Sequence, residues 1–235
     1  MTTTIDREFA EFLLQAIDDP QKYGVHQLFN DWWRYAAEDV KEKYVDDFRS
    51  NPQHRAFVAG DYYAEPLSIS ELAEHNKTTL GGQYHDFIVH NGLEEKIAMN
   101  YRLFHEHLES QGVLKGMPGE IRYAILRGFQ IHDFLHVLTD YDSSPRSEIA
   151  LQAFSLAQLK FPYFAMWMTV STARMTFIDP NMIVPTMDAI TEGWQYGRQV
   201  KNLSFERWEE RLAEPIADVR REHRIDPEGK LRIAA

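Results

Sequence analysis

Between Ile121 and His136 apolar side chains recur every three or four residues: Ile121, Ile125, Gly128, Phe129 and Leu135 form one stripe, and His132 and His136 continue it. That spacing fits a helix that buries one face, because a strand would change faces at every residue. Two imidazoles on an inward face need hydrogen-bond partners, a carboxylate or a cation, since an unpaired buried polar group is costly. The chain therefore has to wrap the rest of its apolar residues around this segment while providing for two histidines.

The remaining pattern is also helical. Segments 6–18 and 25–48 carry apolar residues at helical spacing, and 51–80 reads as loops around a short helix at 68–74, broken by Pro52, Gly60 and Pro66. Gly81-Gly82 opens a helix that Gly92 stops, and further helices are expected at 93–111, 120–139, 164–177, 182–199 and 205–221. Ser144-Pro145 supplies an N-cap and a first-turn proline for a helix running to Lys160, which places Glu148 in its first turn. Alternating runs and Asn-Gly hairpins are missing. The expected fold is all-α: one compact multi-helix domain over 1–235, with a metal site between two helices beside an apolar cavity.

Composition narrows the function. A net charge of -11 with no basic stripe argues against nucleic acid as the partner. With no cysteine there are no disulfides, thiolate metal sites or cysteine nucleophile. The first residues carry acids where a signal peptide would be basic then apolar, and the densest apolar run, 161–178, is interrupted by Thr169, Ser171, Thr172 and Arg174. The expectation is a cytoplasmic protein, with peripheral contact at the inner membrane left open. The aromatic residues Phe29, Trp32, Trp33 and Tyr35 serve either as core or as a homodimer interface.

His132, Asp133 and His136 share one quadrant of their helix, and Glu148 follows twelve residues later. On one reading the four ligate a single divalent ion, zinc or iron, with a position open to water or substrate. On the other, both histidines are core residues bonded to backbone or carboxylates, and Glu148 serves its helix dipole. A ferritin-type dinuclear site would need paired Glu-x-x-His motifs, and the zinc-protease pattern His-Glu-x-x-His is lacking, because Asp133 stands at the glutamate position. His105-Glu106-His107 points to two sides of a helix and reads as packing or solvated surface. Phe161, Tyr163, Phe164, Met166 and Trp167 line a greasy channel or are plain core. Arg127 either binds an anionic head group or pairs with an acid.

At these residues the chain resembles the Coq-four family of coenzyme Q biosynthesis proteins. The family signature is His-Asp, two residues, His, eleven residues, Glu, matched by His132-Asp133, His136 and Glu148 among Tyr123, Arg127 and the 136–139 run His-Val-Leu-Thr. Segment 79–84 and the 208–225 stretch with Trp208, Leu212 and Ile225 resemble flanking family segments, so the resemblance covers about 50–226. Asp140 and Ser147 depart from it, standing where the family usually has glycine. The resemblance implies an all-helical fold, a metal held by the His-Asp-His-Glu set and a cavity for a polyprenyl tail, with Tyr123 and Arg127 as substrate contacts. It implies a part in ubiquinone synthesis as a metal-dependent lyase: oxidative removal of the ring C1 carboxylate, with hydroxylation there, from a prenylated benzoate-type precursor. The alternative is a non-catalytic isoprenoid-lipid scaffold that organises other quinone biosynthesis proteins. A metal-dependent phosphohydrolase is the third reading, suggested by the His-Asp dipeptide alone.

Overall fold

The computed structural model describes residues 5–20, 22–112 and 114–228, so residues 1–4 of the acidic N-terminal segment lie outside the description. The helices run α1 Arg7–Asp18, α2 Val25–Tyr35, α3 Glu38–Ser50, α4 Pro52–Ala59, α5 Ile69–Leu72, α6 Leu80–Asn91 and α7 Glu94–Ile97. They continue as α8 Tyr101–Ser110, α9 Gly119–Thr139, α10 Pro145–Leu159, α11 Pro162–Phe177, α12 Ile183–Gln199 and α13 Ile216–His223. Among the described residues the only extended pairing is one isolated bridge, Thr79 to Pro215. The domain is all-helical, as expected.

Helix α9 is the axis. Its N-terminal turn, at Ile121, packs into one core with Phe29 and Trp33 of α2, Phe48 of α3 and Met166 of α11. Its C-terminal half, from Ile131 to Leu138, packs into a second core with Tyr84 of α6, Leu151 and Phe154 of α10 and Tyr196 of α12. Tyr84 stacks on Phe134 with ring centroids 3.9 Å apart, sealing the second core. At the helix end the guanidinium of Arg220, on α13, donates to the carbonyls of Leu138 at 3.0 Å and Val137 at 2.8 Å. Those carbonyls have no partner within the helix, so Arg220 anchors the turn that carries His136.

Helix α10 is held against α12 at very short range. An added Cβ on Gly193 would lie 1.9 Å from the Ala150 carbonyl oxygen, and one on Gly197 2.4 Å from that of Phe154. Only glycine permits this approach. Arg146 reinforces it with a 2.9 Å ion pair to the buried Glu192. The same contact sets the direction of α10, and with it the position of Glu148.

Several boundaries differ from the sequence reading. The 25–48 segment is two helices, because Ala36 and Ala37 are both extended, with ψ of 142° and 146°. The turn lets aromatics from both helices enter one core, so the periodicity runs on through a break. Phe29 and Trp33 are thereby core, and their support for a dimer interface falls away. Asn51-Pro52, read as a loop, is a helix start: the Asn51 side chain accepts from the Gln53 N–H at 2.9 Å. Segment 93–111 breaks before Asn100, which caps α8, and 205–221 reduces to a 3₁₀ turn at Trp208–Glu210 and α13 beyond Pro215.

Gly193→Ala is expected to destabilise the protein by about 2–3 kcal/mol, because the clash outweighs the helix-propensity gain of about 1 kcal/mol. Gly128→Ala in α9, where an added Cβ meets nothing within 4 Å, keeps that gain. Thermal denaturation of the two variants should move the midpoint in opposite directions.

Candidate metal centre and cavity

His132 and His136 lie one turn apart on α9, and Glu148 faces them from the first turn of α10. The Ser144 hydroxyl caps that turn by accepting from the Ser147 N–H at 3.3 Å, with Pro145 at the first helical position. Nε2 of His132 lies 3.3 Å from one Glu148 oxygen, and Nε2 of His136 lies 3.2 Å from the other. The three residues form a cluster that could hold a metal ion, with ligand atoms all within 4.8 Å of one another. Donors about 2.0–2.2 Å from a tetrahedral ion sit roughly 3.4 Å apart, which the two imidazole–carboxylate separations of 3.3 and 3.2 Å match.

The second nitrogen of each ring is already spoken for. Nδ1 of His136 lies 3.1 Å from the Tyr141 carbonyl, where it serves as donor. Nδ1 of His132 lies 3.0 Å from Oδ1 of Asp133, and Lys96 holds that carboxylate at 2.8 Å. Such outer partners fix the ring orientation and leave both Nε2 atoms facing Glu148. Burial opposes a charge on His132, but its bonds to Asp133 and Glu148 outweigh it and raise its pKa to about 9. Burial likewise opposes charge on Glu148, yet the two imidazoles pull it well below the usual carboxylate range. Asp133, buried too, is held low by His132 and Lys96. Once the His132 proton is displaced, the set of two neutral imidazoles and one carboxylate carries a net negative charge that would favour a cation.

His132 and Glu148 form part of the wall of a cavity of about 310 Å³ between α9, α10 and α11, and His136 lies outside that wall. That volume is within the usual range for small-molecule sites. Its wall is mostly apolar: Ile125, Phe129 and Leu135 on one side, Phe161, Phe164 and Trp167 on the other, with His132, Glu148, Gln152, Ser155, Ser204 and Lys96 as polar interruptions. The aromatic run of α11 is thus both channel wall and core, since Met166 turns into the α1–α3 cluster.

The other expected residues fall elsewhere. Asp133 is 4% exposed and stands behind His132, orienting it, outside the three-residue cluster. Arg127 does not reach the cavity. Its guanidinium donates to Glu209 at 2.6 and 3.0 Å, to Gln130 at 2.6 Å and to the Glu206 carbonyl. It is a buried ion pair with Glu209, the second of the two roles its sequence position left open. Tyr123 donates its hydroxyl to the Tyr62 carbonyl and is also absent from the cavity wall. Asp140 caps α9 in the left-handed conformation, φ 60°, which glycine adopts freely and aspartate tolerates. Ser147 is buried in the α10 cap, and with both residues in place Glu148 still faces the two imidazoles. His105 faces Tyr63 and Glu109, away from the cluster. Lys96 and Gln152 went unnoticed in the sequence; Gln152 was legible as the i+4 neighbour of Glu148, whereas Lys96 comes from a distant short helix.

An all-helical domain with a His-His-carboxylate cluster on the wall of an apolar cavity defines the class. The chain matches the family model described as "Coenzyme Q (ubiquinone) biosynthesis protein Coq4" over residues 63–228, and it belongs to that family. The match begins somewhat later than the expected residue 50. A relative from Paramecium tetraurelia, ubiquinone biosynthesis protein COQ4 homolog 2, mitochondrial, is 26% identical over 68% of this chain and 70% of its own length. The mitochondrial COQ4 of Kluyveromyces lactis is 22% identical over 72% of this chain, which spans only 47% of that protein. A crystal structure of a Nostoc punctiforme protein assigned to ubiquinone biosynthesis superposes with a TM-score of 0.71, covering 95% of this chain and 100% of its own. At 20% identity that likeness speaks for the fold.

Removing one partner of the Arg127–Glu209 pair strands a buried charge. Arg127→Met is expected to cost about 3–5 kcal/mol in denaturant unfolding, and adding Glu209→Leu should recover most of it. A near-neutral Arg127→Met would return the residue to the pool of ligand contacts.

Proposed function

We propose that this protein holds one divalent ion, zinc or iron, on His132, His136 and Glu148, and binds a prenylated benzoate-type quinone precursor beside it. The observation that carries the reading is the convergence of two imidazole Nε2 atoms and one carboxylate at 3.2–3.3 Å, with His132 and Glu148 lining an apolar cavity. When bound, such an ion supplies a Lewis acid next to a phenol or carboxylate oxygen. Asp133 and the Tyr141 carbonyl keep the two imidazole Nε2 atoms turned toward Glu148, where they would hold the ion. The α9 and α11 walls hold the prenyl chain and exclude water, which strengthens every charge interaction at the head group. The reaction is oxidative removal of the C1 carboxylate with hydroxylation there, in concert with other quinone biosynthesis proteins: the ring–carboxylate bond breaks with loss of carbon dioxide, a ring C–O bond forms, and dioxygen, with one water, takes the two electrons and leaves as hydrogen peroxide.

Among the described residues no helix is long and apolar enough to cross a membrane. We read the contact with lipid as peripheral, through the cavity's occupant. The scaffold reading stays distinct by turnover: it predicts bound prenyl lipid and no chemical change.

Elemental analysis of protein purified without chelator should find one metal per chain, lost in His132→Ala and His136→Ala. Asp133→Asn, which keeps the donors and spoils their orientation, should weaken the metal about 10–100-fold. Incubation with dioxygen and a prenylated hydroxybenzoate should give the decarboxylated, ring-hydroxylated product. A metal-loaded protein that returns the substrate unchanged overturns the catalytic reading and supports the scaffold.

The pH dependence follows from the raised pKa of His132. Ligation needs the imidazole without its Nε2 proton, and the metal-free site keeps that proton up to about pH 9. Metal uptake therefore expels a proton at neutral pH, and apparent affinity should rise as pH increases from 7 toward 9, by up to about tenfold per unit. Calorimetric titration in buffers of different ionisation heat would detect that proton; pH-independent affinity would remove His132 from the ligand set. The metal-free fold shows the linked effect. Because the folded pKa lies above the unfolded value of 6.5, this contribution to stability is complete below about pH 6.5 and lost as pH rises through 9.

A further inference from the structure

Gln152 lies one turn beyond Glu148 on the same face of α10, and residue 155, a serine, one turn further. Glu148, Gln152 and Ser155 all line the cavity, so α10 presents a polar stripe to a space whose other walls are mostly apolar. At its far end the stripe gives way to Leu159 and Phe161. The cavity therefore has a polar end at the His132–Glu148 cluster and an apolar end. An amphiphile entering it has one favourable orientation, with head toward the cluster and tail toward Phe161 and Trp167.

Gln152 is 6% exposed, and its Oε1 has no hydrogen-bond partner. An amide oxygen stranded in this way is costly, because it has given up water without replacement. No protein donor is paired with it, although Ser155 and Ser204 share the cavity wall, and a molecule entering the cavity can supply the missing donor. An oxygen acceptor calls for an O–H or N–H on the entering molecule.

We propose that Gln152 is a specificity-determining residue that accepts a hydrogen bond from a ring hydroxyl of the ligand's head group. The assignment deepens the reading of the cavity as a site for a prenylated phenol, and it rests on that reading. Carboxylate and hydroxyl would then be sorted between two sides of one ring: the anionic oxygen at the metal-ligand cluster, the neutral hydroxyl at Gln152. A site built around a hydroxyl rejects an analogue lacking it, since the protein's own polar atom is left unpaired.

The test uses two probes, 2-geranylphenol and geranylbenzene, with wild type, Gln152→Leu and Gln152→Glu, each in its metal-loaded form. Wild type is expected to bind the phenol at least about tenfold more tightly than the hydrocarbon. Gln152→Leu should collapse that ratio at least about fivefold, and Gln152→Glu, which keeps an acceptor, should retain it. The difference between variants cancels the unequal hydrophobicity of the probes. The ligand-free protein supplies a second readout. Because Oε1 is unpartnered without ligand, Gln152→Leu should leave the melting temperature unchanged or raise it, whereas a structural hydrogen bond would show as a loss. Undiminished phenol preference in Gln152→Leu overturns the assignment while leaving the cavity's lipid role intact. A wild type that binds neither probe overturns both.

Discussion

The carboxylate of Glu148 sits between two imidazoles of the neighbouring helix, and much of the architecture serves to keep it there. The glycine-mediated contact of α10 with α12 sets the direction of α10, and the Ser144-Pro145 cap sets where it begins. From the other side Arg220 anchors the last turn of α9, and the Tyr141 carbonyl turns His136. Each restraint is local and ordinary, worth of the order of 1 kcal/mol for a cap or neutral hydrogen bond. Together they hold three donors in a cluster that could hold a metal ion.

The electrostatics are asymmetric. Two carboxylates, Asp133 and Glu148, surround His132, and one cation, Lys96, balances the Asp133 side. In the metal-free protein a proton on His132 balances the rest, and its raised pKa expresses that need. A divalent ion would take over the role. The nearby Arg127–Glu209 pair is closed on itself, with both side chains almost fully buried, and serves to join α9 to the C-terminal segment. The two charge systems lie on one helix and perform different work, a difference set by what each faces.

Much of this was legible in the chain. The three- and four-residue periodicity of 121–136 marks α9 and its inward histidines, and Ser144-Pro145 marks the helix that brings Glu148 back. Gly92 ends α6 with φ 65°, as its position suggests. Reading failed where two helices share a core across a short extended break, as at Ala36-Ala37, since periodicity there is satisfied by both pieces. It failed too at Asn51-Pro52, where a proline that starts a helix was taken for one that interrupts a segment.

By itself the sequence determined the helical class, the donor types and their spacing, because these depend on propensity, caps and i, i+4 geometry within a single helix. Family membership came from the same motif and its flanking segments. Only the tertiary structure decided which carboxylate faces both imidazoles and which stands behind. Asp133 and Glu148 are equal as ligand types; packing of α10 against α12 and the Lys96 contact separate them. It likewise took Arg127 out of the cavity and put Gln152 into it, since a side chain's role follows from the partners that distant segments bring to it, and spacing along one helix carries no information about those.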